Sequence, residues 1–342
     1  MPASTPASID DLRQLLSEHL YIADDGLATA VYLALKLRRP LLLEGEAGVG
    51  KTEVAKVLSA ALDAELIRLQ CYEGLDVTHA VYEWNYARQL IEIRLAEAAR
   101  AGDEAGRPGS GSEAARAASA GAGAGDDDAT GERAARVREL FGPDFLIERP
   151  LLRALRDGRP RPPVLLVDEL DRADEEFEGY LLELLSDFQI TIPEIGTIRA
   201  ATPPVVVITS NRTRELHDAL KRRCVFAWID YPSFQKELRI IATKVPEAPA
   251  QLAEQVTGFV QELRKADLYK VTGVSETLDW VAALVALDRQ ELDAETIDRT
   301  LGIVLKTQED LQAVRGERIQ QMLNRAKTPG ARAAGSDAPA LR

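Results

Sequence analysis

Cysteine and histidine are scarce in this chain of 342 residues: Cys71 and Cys224, and His19, His79 and His217, are all it has. Neither set is clustered at metal-ligand spacing. That excludes a zinc or iron–sulfur centre as the organising feature and predicts reduced, buried, structural thiols. Long apolar runs are missing as well. None approaches the ~20 residues that cross a bilayer, so no membrane span is expected. The opening Met1-Pro2-Ala3-Ser4-Thr5-Pro6 lacks the basic and apolar segments of a secretory leader. It reads as a frayed tail on a cytoplasmic protein. Positive charge is the minority sign, 42 Lys and Arg against 55 Asp and Glu, for a net charge of -13. That balance speaks against nonspecific attachment to nucleic acid or an anionic membrane. Aromatics make up 5% and no Lys/Arg stripe is interleaved with them, so a stacking platform for single strands is not predicted.

What is present is glycine at fixed spacing. Gly45-Glu46-Ala47-Gly48-Val49-Gly50-Lys51-Thr52 follows the apolar run Leu41-Leu42-Leu43, and Val54, Ala55, Val57, Leu58 and Leu62 continue at helical spacing. A triphosphate needs many hydrogen-bond donors within a small radius. Glycines let successive backbone N–H groups curl inward, and the following helix presents its positive dipole end. Lys51 adds a point charge for the β- and γ-phosphates, and the Thr52 hydroxyl completes a Mg²⁺ shell. The stretch predicts a nucleoside triphosphate site. No Asn-Lys-x-Asp base-reading motif accompanies it, which disfavours a GTPase, and no Gly-rich signature helix of a transporter cassette is found.

The rest of the chain reads as alternating strands and helices followed by helices alone. Ser8 and Asp11 form a capping box for a helix from Ile9 to about Ser17, and a second helix runs from Asp24 or Asp25 to Leu37. Strands are predicted at 65–69, Val164–Asp168, Val205–Thr209 and Val225–Ile229, with a hairpin over 189–199 around Pro193 and Gly196. Alternation of this kind implies a parallel α/β sheet. Residues 101–131 hold no large apolar side chain and read as a disordered insertion, because they cannot bury enough surface to offset ordering entropy. From Ser233 the pattern is helical, with segments at 233–244, 249–265, 277–287, 294–305 and 308–325. The expected organisation is a tail and short helix over 1–19, a nucleotide-binding core over 20–232, a helical lid over 233–326 and a flexible tail over 327–342.

Hydrolysis needs a metal, a polarised water and a group that stabilises developing charge. Asp168 and Glu169, at the end of an apolar strand, fit the first two: Asp168 holding Mg²⁺ and Glu169 activating water. Two adjacent acids there also suit a helix N-cap. Asn211 follows the Val205–Thr209 strand, and in a parallel sheet ligands lie at the C-terminal strand ends; its amide can orient water, or open a turn. Lys221-Arg222-Arg223 reads either as a solvated basic cluster or as an arginine finger reaching a neighbouring subunit.

Taken together, GEAGVGKT, LLVDELDRAD, a hairpin, VVVITSN and LKRRC resemble the AAA+ ATPases, over roughly residues 20–325. The hairpin before Asn211 and the insertion before the Asp168 strand are similar to the MoxR branch. Whole segments such as CYEGLDVTHAVYEWNYARQL look like the accessory ATPases of molybdenum carbon monoxide dehydrogenase maturation, which act with a von Willebrand factor A-domain partner. The resemblance implies an α/β P-loop NTPase core with a presensor hairpin and a small all-helical lid. It further implies ATP and Mg²⁺ as ligands and assembly as a homo-oligomeric, usually hexameric, ring acting on a protein client. Carried over to this chain, Gly45 to Thr52 match Walker A, Asp168 and Glu169 match Walker B, and Asn211 matches sensor 1. Arg223 aligns with the arginine finger, with Arg222 behind it. One departure stands out: where relatives often carry Ser-Pro-Arg in the lid, this chain has Ser275-Glu276-Thr277. The lid arginine is absent, with Thr277 in its place, and Arg264 or another lid cation is left to substitute for it. A remodelling ATPase, a nucleotide-gated docking module and a DNA-directed motor are the competing functions. The acidic balance disfavours the last.

Overall fold

A computed structural model describes residues 6–105, 140–156 and 159–327. The N-terminal helix, Ile9–Glu18, opens on the expected capping box, in which the Ser8 and Asp11 side chains each accept from the other's backbone N–H. The Asp25–Leu37 helix follows, capped by the Asp24 carboxylate. Strands β1 (Leu41–Gly45) and β2 (Leu66–Gln70) flank the Lys51–Ala61 helix. Then come β3 (Tyr82–Trp84), the Tyr86–Ala105 helix, β4 (Leu146–Glu148), the Pro150–Leu155 helix and β5 (Val164–Asp168). The Glu175–Asp187 helix leads to β6 (Gln189–Ile192), β7 (Gly196–Arg199), β8 (Val205–Ser210) and β9 (Val225–Ile229).

The main sheet has five strands in the order β2-β5-β8-β1-β9, all parallel. β1, β5 and β8 are apolar and buried along nearly their whole length because helices cover both faces of the sheet. Leu41, Leu43, Leu166 and Val207 pack towards the Lys51–Ala61 helix. Leu42, Leu165, Val167 and Ile208 pack the opposite way, with Leu181 and Leu184 of the Glu175–Asp187 helix. The topology places the ends of β1, β5 and β8 side by side, so that the loops after them converge. β6 and β7 form the antiparallel hairpin the alternation predicted.

The C-terminal helices, from Phe234–Lys244 to Glu317–Lys327, bury their own apolar core around Phe259, Trp280 and Leu284. This is the mixed α/β P-loop NTPase fold with a helical lid.

Several sequence expectations are corrected. The single helix expected over 308–325 is two, Gln308–Val314 and Glu317–Lys327, because Gly316 takes φ +75° and breaks the ladder. The lid helix expected from 277 begins at Val274, with Gly273 as its N-cap. The helix from Tyr86 continues through Ala105, so the start of the supposed disordered insertion is helical; the remainder of 101–131 lies outside the described residues. Alanine and glutamate in Ala101-Gly102-Asp103-Glu104-Ala105 support that extension. The frayed end over 1–5 and the tail over 328–342 also lie outside them. β3 and β4, three residues each, pair across the insertion and are too short for a periodicity signal.

Candidate nucleotide site

β1 ends in the glycine loop. Gly45 (φ +154°) passes so close to β9 that a Cβ there would lie 2.2 Å from the Ile229 carbonyl oxygen. Gly48 and Gly50, at φ +78° and +97°, turn the loop through the left-handed region and deliver it into the Lys51–Ala61 helix. No side chain caps that helix, so its first N–H groups remain free for an anion. Lys51 is buried, and its ammonium donates to the carbonyls of Gly45 (2.7 Å) and Glu46 (2.6 Å). Burial pushes its pKa below the ordinary lysine value, against the pull of Asp171, Glu46, Glu169 and Asp168.

Asp168, at the end of β5, is buried and densely hydrogen-bonded. Its Oδ1 accepts from the hydroxyls of Thr52 (3.0 Å) and Thr209 (2.6 Å). Its Oδ2 accepts from Arg68 Nε (3.0 Å) and Nη2 (2.6 Å). Glu169 holds φ +55°, fixed by its N–H donating to Thr209 Oγ1 at 2.9 Å. Its carboxylate pairs with Arg172 Nε at 2.9 Å. Asn211 follows β8, and its backbone N–H donates to Asp171 Oδ1 at 3.1 Å. Asp171 is buried and also accepts from the Thr213 N–H (2.8 Å) and hydroxyl (2.7 Å). It therefore ties the loop after β5 to the loop after β8, a bracing role that no motif in the sequence marks.

These groups line one cleft of about 450 Å³. It brings together the loop from Ala47 to Thr52 with Asp168, Glu169, Thr209 and Asn211. Tyr21, Ile22, Ile229, Ile240 and Leu278 add apolar lining, beside Lys236 and Lys244. No motif marks these residues, so they were invisible one at a time. Arg222 and Arg223 lie outside this cleft. Both are exposed, but Arg223 donates to Ser186 Oγ (3.0 Å) and the Ala219 carbonyl (3.1 Å), whereas Arg222 has no side-chain partner among the described residues. A larger hollow of about 950 Å³ beside Arg13, Asp25 and Arg239 has no glycine loop and no converging strand ends. The smaller cleft is the candidate site.

The lid closes the cleft through main chain. The Val274 N–H donates to the Gly48 carbonyl at 2.8 Å, and a Cβ on Gly273 would lie 2.7 Å from Gly48 Cα. Lys236 pairs with Asp24 (2.9 Å) and Lys244 with Glu53 (3.1 Å), joining the first lid helix to the core. Arg264 does not reach the cleft. Its guanidinium donates to both Glu237 oxygens (2.7 Å each), lies over the Tyr231 ring, and leaves Thr277 to complete the cluster through Glu237 Oε1 (3.0 Å). Of the substitutes the sequence left open, Arg264 is thus consumed within the lid. Lys236 and Lys244 are the lid cations that line the cleft.

The donor set fits Mg²⁺ and a triphosphate. Thr52 gives its proton to Asp168 and keeps its oxygen lone pairs for a hard cation, while the glycine loop offers N–H groups to phosphate. Among the described residues no group of three or more His, Cys, Asp or Glu forms a separate metal site, and no helix is long and apolar enough to cross a membrane. Cys71 is buried beneath Asp168, and burial with the nearby acids raises its thiol to about 12; burial alone does the same for the half-buried Cys224. Neither is a nucleophile at neutral pH.

The family model described as the AAA domain, dynein-related subfamily, matches residues 40–224. An uncharacterized protein, SH1500, of Staphylococcus haemolyticus is 23% identical over 272 residues, spanning 78% of this chain and 82% of the relative. Among solved structures, a putative ATPase from Cytophaga hutchinsonii has a TM-score of 0.43 at 13% identity, covering 94% of each chain. The Holliday junction branch migration motor RuvB of Thermotoga maritima has a TM-score of 0.41 at 14% identity, covering 88% of this chain and 73% of that one.

Proposed function

The chain belongs to the AAA domain family, dynein-related subfamily, and from that premise we propose that it is an ATP-hydrolysing remodelling enzyme of the MoxR type. The observation that carries the proposal is the Thr52–Asp168 hydrogen bond, which joins side chains 116 residues apart at the mouth of the glycine loop. Thr52 and Asp168 would hold Mg²⁺, whose charge would offset that of the β- and γ-phosphate oxygens. Lys51 exchanges its loop carbonyls for phosphate oxygens. Glu169 swings from Arg172 to accept a proton from the attacking water, and Asn211 orients that water. Arg222, which has no side-chain partner among the described residues, serves a neighbouring subunit's cleft in a ring, and Arg223, held by Ser186 and the Ala219 carbonyl, stands behind it as the alternative finger.

The client follows from the resemblance of whole segments: a metalloenzyme of the carbon monoxide dehydrogenase type, approached together with a von Willebrand A-domain partner. The test is ATP turnover against protein concentration, for wild type, Arg222→Ala and Arg223→Ala, with sedimentation reporting assembly. Specific activity that rises with concentration and is lost in Arg222→Ala, with assembly intact, supports a shared site. Turnover independent of concentration and of both arginines overturns the ring.

A second reading is favoured by the Glu169–Arg172 pair and the missing lid arginine: ATP binding alone drives docking of a partner. It requires partner capture with a non-hydrolysable analogue and full function in a Glu169→Gln strain.

A further inference from the structure

Asp168 is saturated, and half of its donors come from a residue that no nucleotide-binding motif contains. An ionised carboxylate offers about four lone-pair positions. Thr52 and Thr209 fill those on Oδ1, and the Nε and Nη2 groups of Arg68 fill those on Oδ2. The two hydroxyls are neutral and keep lone pairs for a metal. The guanidinium is a cation with no acceptor. Arg68 reaches Asp168 from β2, where Gln70 is Asp168's neighbour in register and Arg68 lies two residues earlier on the same face. Its side chain is half exposed, while that of Asp168 is buried.

The other charges nearby are engaged elsewhere. The Lys51 ammonium donates to loop carbonyls, Glu169 is paired with Arg172, and Asp171 accepts three hydrogen bonds from Asn211 and Thr213. Arg68 is therefore the direct counter-charge of Asp168. A divalent cation approaching without nucleotide meets a carboxylate with no free lone pair and a positive group beside it. Mg²⁺ demands a nearly octahedral set of oxygens, and the protein groups offered here are few.

We propose that Arg68 is a positioning residue that withholds Asp168 from bare divalent cations, so that metal enters the cleft only with the nucleotide whose phosphates complete its shell. This rests on the reading of the cleft as a Mg²⁺–ATP site, but the decisive measurement is made without nucleotide.

Mn²⁺ is titrated into nucleotide-free full-length protein and free Mn²⁺ is followed by electron paramagnetic resonance. Wild type, Arg68→Ala, Arg68→Gln and Arg68→Lys are compared, with circular dichroism to confirm folding. The neutral variants are expected to bind Mn²⁺ at least tenfold more tightly than wild type, the gain disappearing in Arg68→Ala/Asp168→Asn. Arg68→Lys, which keeps the charge, is expected to stay like wild type. If either neutral variant is folded and takes up Mn²⁺ no better than wild type, Arg68 is only a tie between strands and the proposal fails. A separate titration with a fluorescent ATP analogue reports the cleft itself. Absence of analogue binding in wild type counts against the nucleotide site, whatever the Mn²⁺ result.

Discussion

Replacing Arg264 by methionine tests whether the lid is held together by a buried ion pair in place of a nucleotide-sensing arginine. Glu237 is fully buried and accepts from Arg264 through both oxygens, from Gln261 Nε2 at 2.9 Å and from Thr277 Oγ1 at 3.0 Å. Arg264 also donates through Nε to the Thr272 carbonyl, which leads into Gly273 and the loop contact. Methionine keeps the apolar stem but leaves the Glu237 charge with two neutral donors. Removing one member of a buried pair costs about 3–5 kcal/mol, much of it the unpaired charge that remains. Losing the guanidinium over Tyr231 adds roughly 0.5–2 kcal/mol. Against a typical stability of about 5–15 kcal/mol, the loss is large. Urea denaturation followed by circular dichroism should show a clearly lower midpoint for Arg264→Met. Arg264→Met/Glu237→Leu should recover much of it, because no charge is left buried. If Arg264→Met is as stable as wild type yet ATP turnover collapses, Arg264 acts on nucleotide and the structural assignment is refuted.

Other outcomes follow from the lid's contacts. Gly273→Ala places a methyl group against the Gly48 backbone, where overpacking costs about 1–3 kcal/mol. An analogue titration should show nucleotide affinity weakened by about tenfold, with the urea midpoint lowered by the same strain; unchanged affinity would mean the lid contact is incidental. Asp24 is titratable: burial opposes ionisation, but the Leu27 N–H and Lys236 outweigh it and hold its pKa below the ordinary value. A depressed folded-state pKa contributes stability above the unfolded value, and that contribution is lost as pH falls through the folded one. The stability gap between wild type and Asp24→Asn should be constant near neutrality and shrink below the usual carboxylate range. A gap that does not change with acid would dissociate Asp24 from the lid strap.

Much of the fold was legible because its signals are local. Four apolar residues ending in Asp168, or a glycine loop after Leu41-Leu42-Leu43, report strand, end and ligand together. What escaped depends on distance or on brevity. The Tyr82–Trp84 and Leu146–Glu148 strands are too short for periodicity and pair across an insertion. Tyr21, Ile22 and Leu278 become a cleft wall only after the lid folds back. Arg68 falls inside the strand predicted over 65–69, and nothing in its neighbours reveals that it grips a carboxylate a hundred residues later. Thr277 was legible as a missing arginine. That the nearby Arg264 is spent on Glu237 was not, since the glutamate comes from another helix.

The most direct test of the account is phosphate release from ATP by wild type and Glu169→Gln, with analogue binding measured on the same preparations. The account predicts turnover in wild type, collapse in Glu169→Gln, and nucleotide binding preserved in both. Persistent turnover in Glu169→Gln, or failure of wild type to bind ATP, would contradict it.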